Sequence, residues 1–174
     1  MKYLIYLVLA TSHMVPNSAF SQDWTSDSIT GAQGVHGAEA LNAQNGLFDL
    51  RFTCSTLPDH QNEIFMNLKT LPDAPLQLGN ETDFPITLGF MFADGRTESF
   101  ETLAAWNHQN NGVNVWHSTI PLDGGFLNSF AGSIRLEIRT VIGKEGELIF
   151  TYFMRGSAKA AGTLHEYCYS GNYN

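Results

Sequence analysis

Cys54 and Cys168 are the only cysteines in the chain, one ending the first strongly patterned segment and the other six residues short of Asn174. Paired, they close almost the whole chain into one covalent loop, which restricts it to a single domain whose first regular element touches its last. With two thiols the connectivity is forced once the bridge is intramolecular. Chain entropy assigns a closure of this length about 4–5 kcal/mol of stabilisation, as an upper figure. The rival reading, a metal or redox pair, lacks CxxC or Cys/His spacing.

Whether the thiols pair depends on compartment, and the N-terminus addresses that. Lys2 precedes an unbroken apolar run from Tyr3 to Ala10, followed by a polar stretch containing Pro16. Ala19 and Ser21 satisfy the small-x-small rule, so cleavage is expected before Gln22, with residues 1–21 a removed signal peptide. A spanning helix needs about 20 apolar residues, and Ser12, His13, Pro16, Asn17 and Ser18 interrupt well before that. No lipobox cysteine lies near the cleavage site, and no membrane span is expected in the mature chain. The expected location is therefore periplasmic or secreted, where two thiols of one domain pair.

Lys2 is the only charged residue in 1–21, so the mature chain carries 8 Lys+Arg against 17 Asp+Glu. That acidic balance argues against nucleic acid, whose phosphates require a basic face, and against docking on anionic lipid. Twelve phenylalanines and three tryptophans supply ample core material.

Residues 22–45 are rich in Gly, Ala, Ser and Gln and poor in large apolar side chains. They read as an irregular N-terminal arm with Trp24 pinned to the domain. From Gly46 the pattern changes, and 46–174 read as a single β-rich domain. Phe48, Leu50, Phe52 and Cys54 alternate with polar residues, a half-buried strand with Cys54 facing inward. Ile64, Met66 and Leu68 repeat the period. Phe84, Ile86, Leu88, Phe90 and Phe92 share one face of a third strand, which turns at Asp94-Gly95 and returns over Arg96–Leu103. Val113–Ile120 is a further strand. Phe126, Leu127 and Phe130 have the spacing of one or two helical turns plugging the end of a sheet.

Ile134, Leu136 and Ile138 then alternate with Arg135, Glu137 and Arg139, and Leu148, Phe150, Tyr152 and Met154 form the facing strand. Ile149 and Phe153 make the reverse of that last strand apolar too, so it is expected to be covered on both sides and central. Ser157 is a candidate N-cap for a closing helix that presents Ala158, Ala161, Leu164, His165 and Cys168 at three- and four-residue steps. The fold class expected is mainly β, a β-sandwich or a strongly twisted antiparallel sheet, with a short C-terminal helix tied by the Cys54–Cys168 disulfide.

The ending Phe150-Thr151-Tyr152-Phe153-Met154-Arg155-Gly156-Ser157, running through Ala-bearing residues to Cys168, is an apolar strand, Gly-Ser, a small-residue helix and a final cysteine. With Asn45–Cys54, a strand ending in cysteine, it resembles small exported bacterial proteins of the VasI type (type VI secretion accessory proteins) and the invasion-associated locus B proteins. The resemblance covers the two ends and the strand order. It implies the fold and the disulfide, and it carries no functional residue onto this chain.

No HExxH, Walker A, G-x-S-x-G or dinucleotide fingerprint is present. No catalytic residue, cofactor or metal is therefore assigned. Of the histidines after the leader, His36, His60, His108, His117 and His165, only His108 and His117 flank one loop, and two ligands fall short of the three or four zinc takes. Asp94, Glu98 and Glu101 are expected on the solvated face of a hairpin. Trp106, Asn107, His108, Trp116 and His117 form the candidate ligand-binding region, because flat rings among amides suit sugars. The competing reading places one tryptophan in the core and asparagines in turns.

The leading expectation is a non-enzymatic exported accessory protein acting through its surface on another envelope protein. The first alternative is an envelope glycan- or small-ligand-binding module using Trp106–His117. The second is a hydrolase without a recognisable motif.

Overall fold

The computed structural model describes residues 23–30, 36–43, 49–57, 59, 62–70, 84–108, 114–142 and 146–168. The leader, the loop expected over 71–82 and the turn at 143–145 lie outside the described residues. The described elements are β1 (Trp24–Thr30), β2 (His36–Asn42), β3 (Leu50–Ser55), β4 (Glu63–Thr70), β5 (Phe84–Met91), β6 (Thr97–His108), β7 (Asn114–Pro121), α1 (Gly124–Gly132), β8 (Arg135–Ile142), β9 (Gly146–Phe153) and α2 (Ser157–Cys168). All nine strands join in one sheet, ordered β1-β2-β3-β4-β7-β6-β5-β8-β9, and every pairing is antiparallel. Of the two architectures expected, the continuous antiparallel sheet is the one observed.

The sheet curls until its inner face meets itself. Trp116 of β7 and Phe150 of β9, strands that are not neighbours, pack edge to face with ring centroids 5.3 Å apart. The two ends of the sheet approach at Trp24. Its N–H donates to Arg155 O at 2.8 Å, its Nε1–H donates to Phe153 O at 3.1 Å, and Asp23 pairs with Arg155. Trp24 also stacks on Phe52 and meets Phe130 edge-on, so the pinned tryptophan is confirmed. Phe52, Phe90, Phe100, Phe126 and Phe130 continue the aromatic cluster.

The arm expected to be irregular is a β-hairpin instead. Its small residues are the reason it pairs where it does. Ala38 and Ala40 are fully buried because α2 packs on β2 and β1, and only small side chains leave room for a helix there. Gly37 is equally constrained, since a Cβ at this position would stand 2.4 Å from Cys54 O. Ser26 and Thr163 share a hydroxyl–hydroxyl bond of 2.9 Å across that interface.

α1 follows the helical spacing read from Phe126, Leu127 and Phe130, all buried. Asp123 caps it, accepting from Phe126 N–H at 2.7 Å. α2 places Ala160, Ala161, Leu164 and Cys168 inward, and the Cys54–Cys168 disulfide, with Cα atoms 5.9 Å apart, ties it to β3. Gly156, not Ser157, accepts the first helical bond, from Ala160 N–H. Ser157 is the first helical residue and is buried. Gly156 adopts φ +85°, and a Cβ there would lie 2.5 Å from Trp24 O.

Two further expectations are corrected. β9 lies at the end of the sheet, not its centre. Its outer residues Ile149 and Phe153 are 48% and 58% exposed, so the second apolar face reflects uncovered surface rather than a second packing layer. Ile134 precedes β8 and is 55% exposed, while Leu136 and Ile138 are buried as read. The chain has just left α1 there, and strand alternation starts one residue later. No helix among the described residues is long and apolar enough to cross a membrane.

Candidate functional site

Strand registers place two rows of outward side chains across the middle of the sheet. Residues directly opposite in an antiparallel pair share a face with Cβ atoms about 5 Å apart. Arg51 faces Asn67, Asn67 faces His117, and His117 faces Ala105. One row along, Thr53 faces Phe65 and Phe65 faces Thr119. Phe65, Asn67, Ala105, His117 and Thr119 of these rows, together with Leu103, 57% exposed, line an open groove of about 720 Å³. A second depression of about 230 Å³, bounded by Asp49, Arg51, Thr53, Asn67, Lys69 and His117, adjoins it. Asn67 and His117 belong to both.

These two residues are hydrogen-bonded, with His117 Nδ1 2.6 Å from Asn67 Oδ1. An amide oxygen accepts only, so the neutral ring carries its proton on Nδ1 and leaves Nε2 as an acceptor. Desolvation by the groove walls lowers the His117 pKa from its ordinary value, which keeps the ring neutral at pH 7. Arg51 is paired with Glu39 at 3.3 Å. The site thus offers an amide, a neutral imidazole, a guanidinium and a lysine beside Phe65 and Leu103. That is a hydrogen-bonding and packing surface.

The groove forms where β6 and β7 part. Their ladder runs from His108–Asn114 to Ala104–Ser118 and stops. Beyond it, side-chain hydroxyls replace backbone donors: Ser118 Oγ donates to Leu103 O at 2.8 Å, and Thr102 Oγ1 donates to Thr119 O at 3.0 Å.

Of the five candidate ligand-binding residues, His117 reaches this groove. Trp116 points the other way and is fully buried, edge-on to Phe84 and Phe150. It is the core tryptophan of the competing reading, because adjacent residues of a strand face opposite sides. Trp106 pairs with Trp116 in register, and Asn107 and His108 complete β6; their side chains lie outside the described residues. Of the carboxylates expected on a solvated hairpin, Glu101 is exposed, but Glu98 turns inward, pairing with Arg96 and accepting from Ser129 of α1. Among the described residues no group of three His, Cys, Asp or Glu side chains converges as a metal site would require.

The sequence reading missed Phe65, Asn67 and Leu103. The signal for two of them was present: Phe65 and Leu103 put apolar side chains on the otherwise polar phase of their strands. No family model, curated protein or solved structure matches the chain.

Proposed function

We propose that this is a non-enzymatic, exported interaction protein whose working surface is the outer face of the sheet around His117. The observation that carries the reading is the groove itself. It mixes Phe65 and Leu103 with Asn67 and His117, with Arg51 in the adjoining depression, the composition of a recognition surface. The disulfide fits an oxidising compartment, in keeping with the leader read at 1–21 and a periplasmic or secreted location. The resemblance of the two ends to VasI-type and invasion-associated locus B proteins, exported proteins of the same kind, is compatible with this reading.

A second reading, a glycan or small polar ligand, draws on the Asn67–His117 pair, which presents amide and imidazole groups together. It now centres on Asn67, His117 and Arg51 rather than on Trp116. The test is affinity capture from the periplasm with the native protein and with Leu103→Glu, an exposed position. A partner retained by the first and lost by the second, with unchanged thermal stability, is the expected result. Identical recovery by both would overturn the protein-contact reading, and binding of a glycan lost in Asn67→Ala would favour the second.

A further inference from the structure

Among the described residues, the parting of β6 and β7 leaves about half of a long strand unpaired along one side. β6 runs from Thr97 to His108, but β7 covers it only from Ala104 onward. On its other side β6 pairs with β5 without interruption from Thr97 to Ala104. Backbone groups alternate in direction along an antiparallel strand. Phe92 N–H donates to Arg96 O, so even-numbered residues of β6 point toward β5. Leu103 O receives Ser118 Oγ, so odd-numbered residues point toward β7. Thr97, Ser99 and Glu101 therefore aim their N–H and C=O groups past the end of the β7 ladder. Nothing among the described residues bonds to those groups. α1, which follows β7, reaches β6 through side chains only, Phe126 on Phe100 and Ser129 on Glu98, and does not bond to those backbone groups.

We infer that this free margin of β6, Thr97–Glu101, is a strand-addition site for an extended basic peptide segment of a partner protein. An open sheet margin is a template for one more strand, whose main-chain bonds supply affinity and whose alternate side chains supply selectivity. Five residues of strand span about 17 Å, enough for a peptide of similar length, and the margin leads directly into the groove at Thr102 and Leu103. Charge selects the occupant. Glu101 on the margin and Asp94 in the β5–β6 turn are exposed carboxylates, and Asp123 lies two residues beyond the end of β7. Arg96 is the one base among them, and it is already held by Glu98 and Asp94. A lysine-bearing strand is attracted there and an acidic one repelled. The inference rests on the protein-contact reading and gives it a mode and a partner chemistry.

The test uses a short capped peptide of alternating valine and lysine, titrated into the full mature protein and followed by amide NMR and calorimetry. Saturable binding is expected, with the Ser99 and Glu101 amides slowing in hydrogen exchange. N-methylation of alternate peptide amides should weaken binding by about tenfold or more, since it removes main-chain bonds. Ser99→Pro should have the same effect while keeping the thermal midpoint, because the Ser99 N–H takes no part in the β5 ladder. A valine–glutamate peptide should bind far more weakly. Absence of binding, or equal binding of the N-methylated peptide to the native protein, would overturn the inference, and the latter arm stands even if Ser99→Pro fails to fold. Leu103→Glu capture reports separately: a partner still lost in that variant while the peptide fails to bind would sink strand addition and spare the surface reading.

Discussion

Two glycines six residues apart should respond oppositely to the same substitution. Gly156 holds φ +85°, and a Cβ built on it would stand 2.5 Å from Trp24 O and 3.3 Å from Trp24 N. An L-residue in that conformation costs about 1–2 kcal/mol. The contact falls on backbone, so relief requires moving the strand that joins the two ends of the sheet, a misfit of about 1–3 kcal/mol. Gly156→Ala should therefore destabilise by about 2–5 kcal/mol, a large share of the roughly 5–15 kcal/mol available to a domain. At about 2–4 °C per kcal/mol the Tm should fall by roughly 4–20 °C. Gly162 lies inside α2, exposed, with open space where a Cβ would go. Gly162→Ala should stabilise by about 0.5–1 kcal/mol through helix propensity alone. Urea unfolding followed by tryptophan fluorescence measures both, provided the m-values agree. A neutral Gly156→Ala, or a destabilising Gly162→Ala, would refute the close approach at Trp24 or the helix register that places these residues.

The 114-residue separation of the bridged cysteines predicts that the double variant Cys54→Ala, Cys168→Ala loses up to about 4–5 kcal/mol in denaturant titration; an unchanged midpoint would show that the clasp does not constrain the unfolded chain. Trp116→Ala should cost about 3–5 kcal/mol as a core truncation, whereas His117→Ala next to it should stay within about 0.5 kcal/mol, and the reverse ranking in urea melts would invert the assignment of faces. The folded His117 holds its proton less tightly than the unfolded ring, so unfolding takes up protons as pH falls through about 6.5. Its contribution to stability is complete above that pH and declines below it. His117→Gln should flatten the loss of stability between about pH 7.5 and 5.5, and an NMR titration of the native ring should give a midpoint below the ordinary value; a midpoint at or above it would remove the desolvated groove.

Much of the frame was readable because alternation reports burial directly. Phe52 and Cys54, Ile64 to Leu68, and Phe84 to Phe90 each carry the period-two pattern of one buried face, and all of them line the core. The hairpin at 24–42 was not readable, because alanines and glycines give no hydrophobic contrast; they are strand residues here only because a helix 120 positions later lies on them. β9 misled for a related reason, since an apolar reverse face looks the same whether it is covered or bare. The site was half legible. His117 lay in the candidate region, but its partner Asn67 sits 50 residues away, and nothing local links them.

The amino-acid order by itself determined which residues are strand and which are helix over most of the domain, and that two thiols would find each other, because these follow from period, turn chemistry and the small number of cysteines. Only the tertiary structure decided which strands are neighbours, that β7 ends before β6 does, and that Trp116 faces inward while His117 faces out. Those outcomes depend on non-local register, where a shift of one residue exchanges the two faces of a strand, and no short stretch of the chain encodes it.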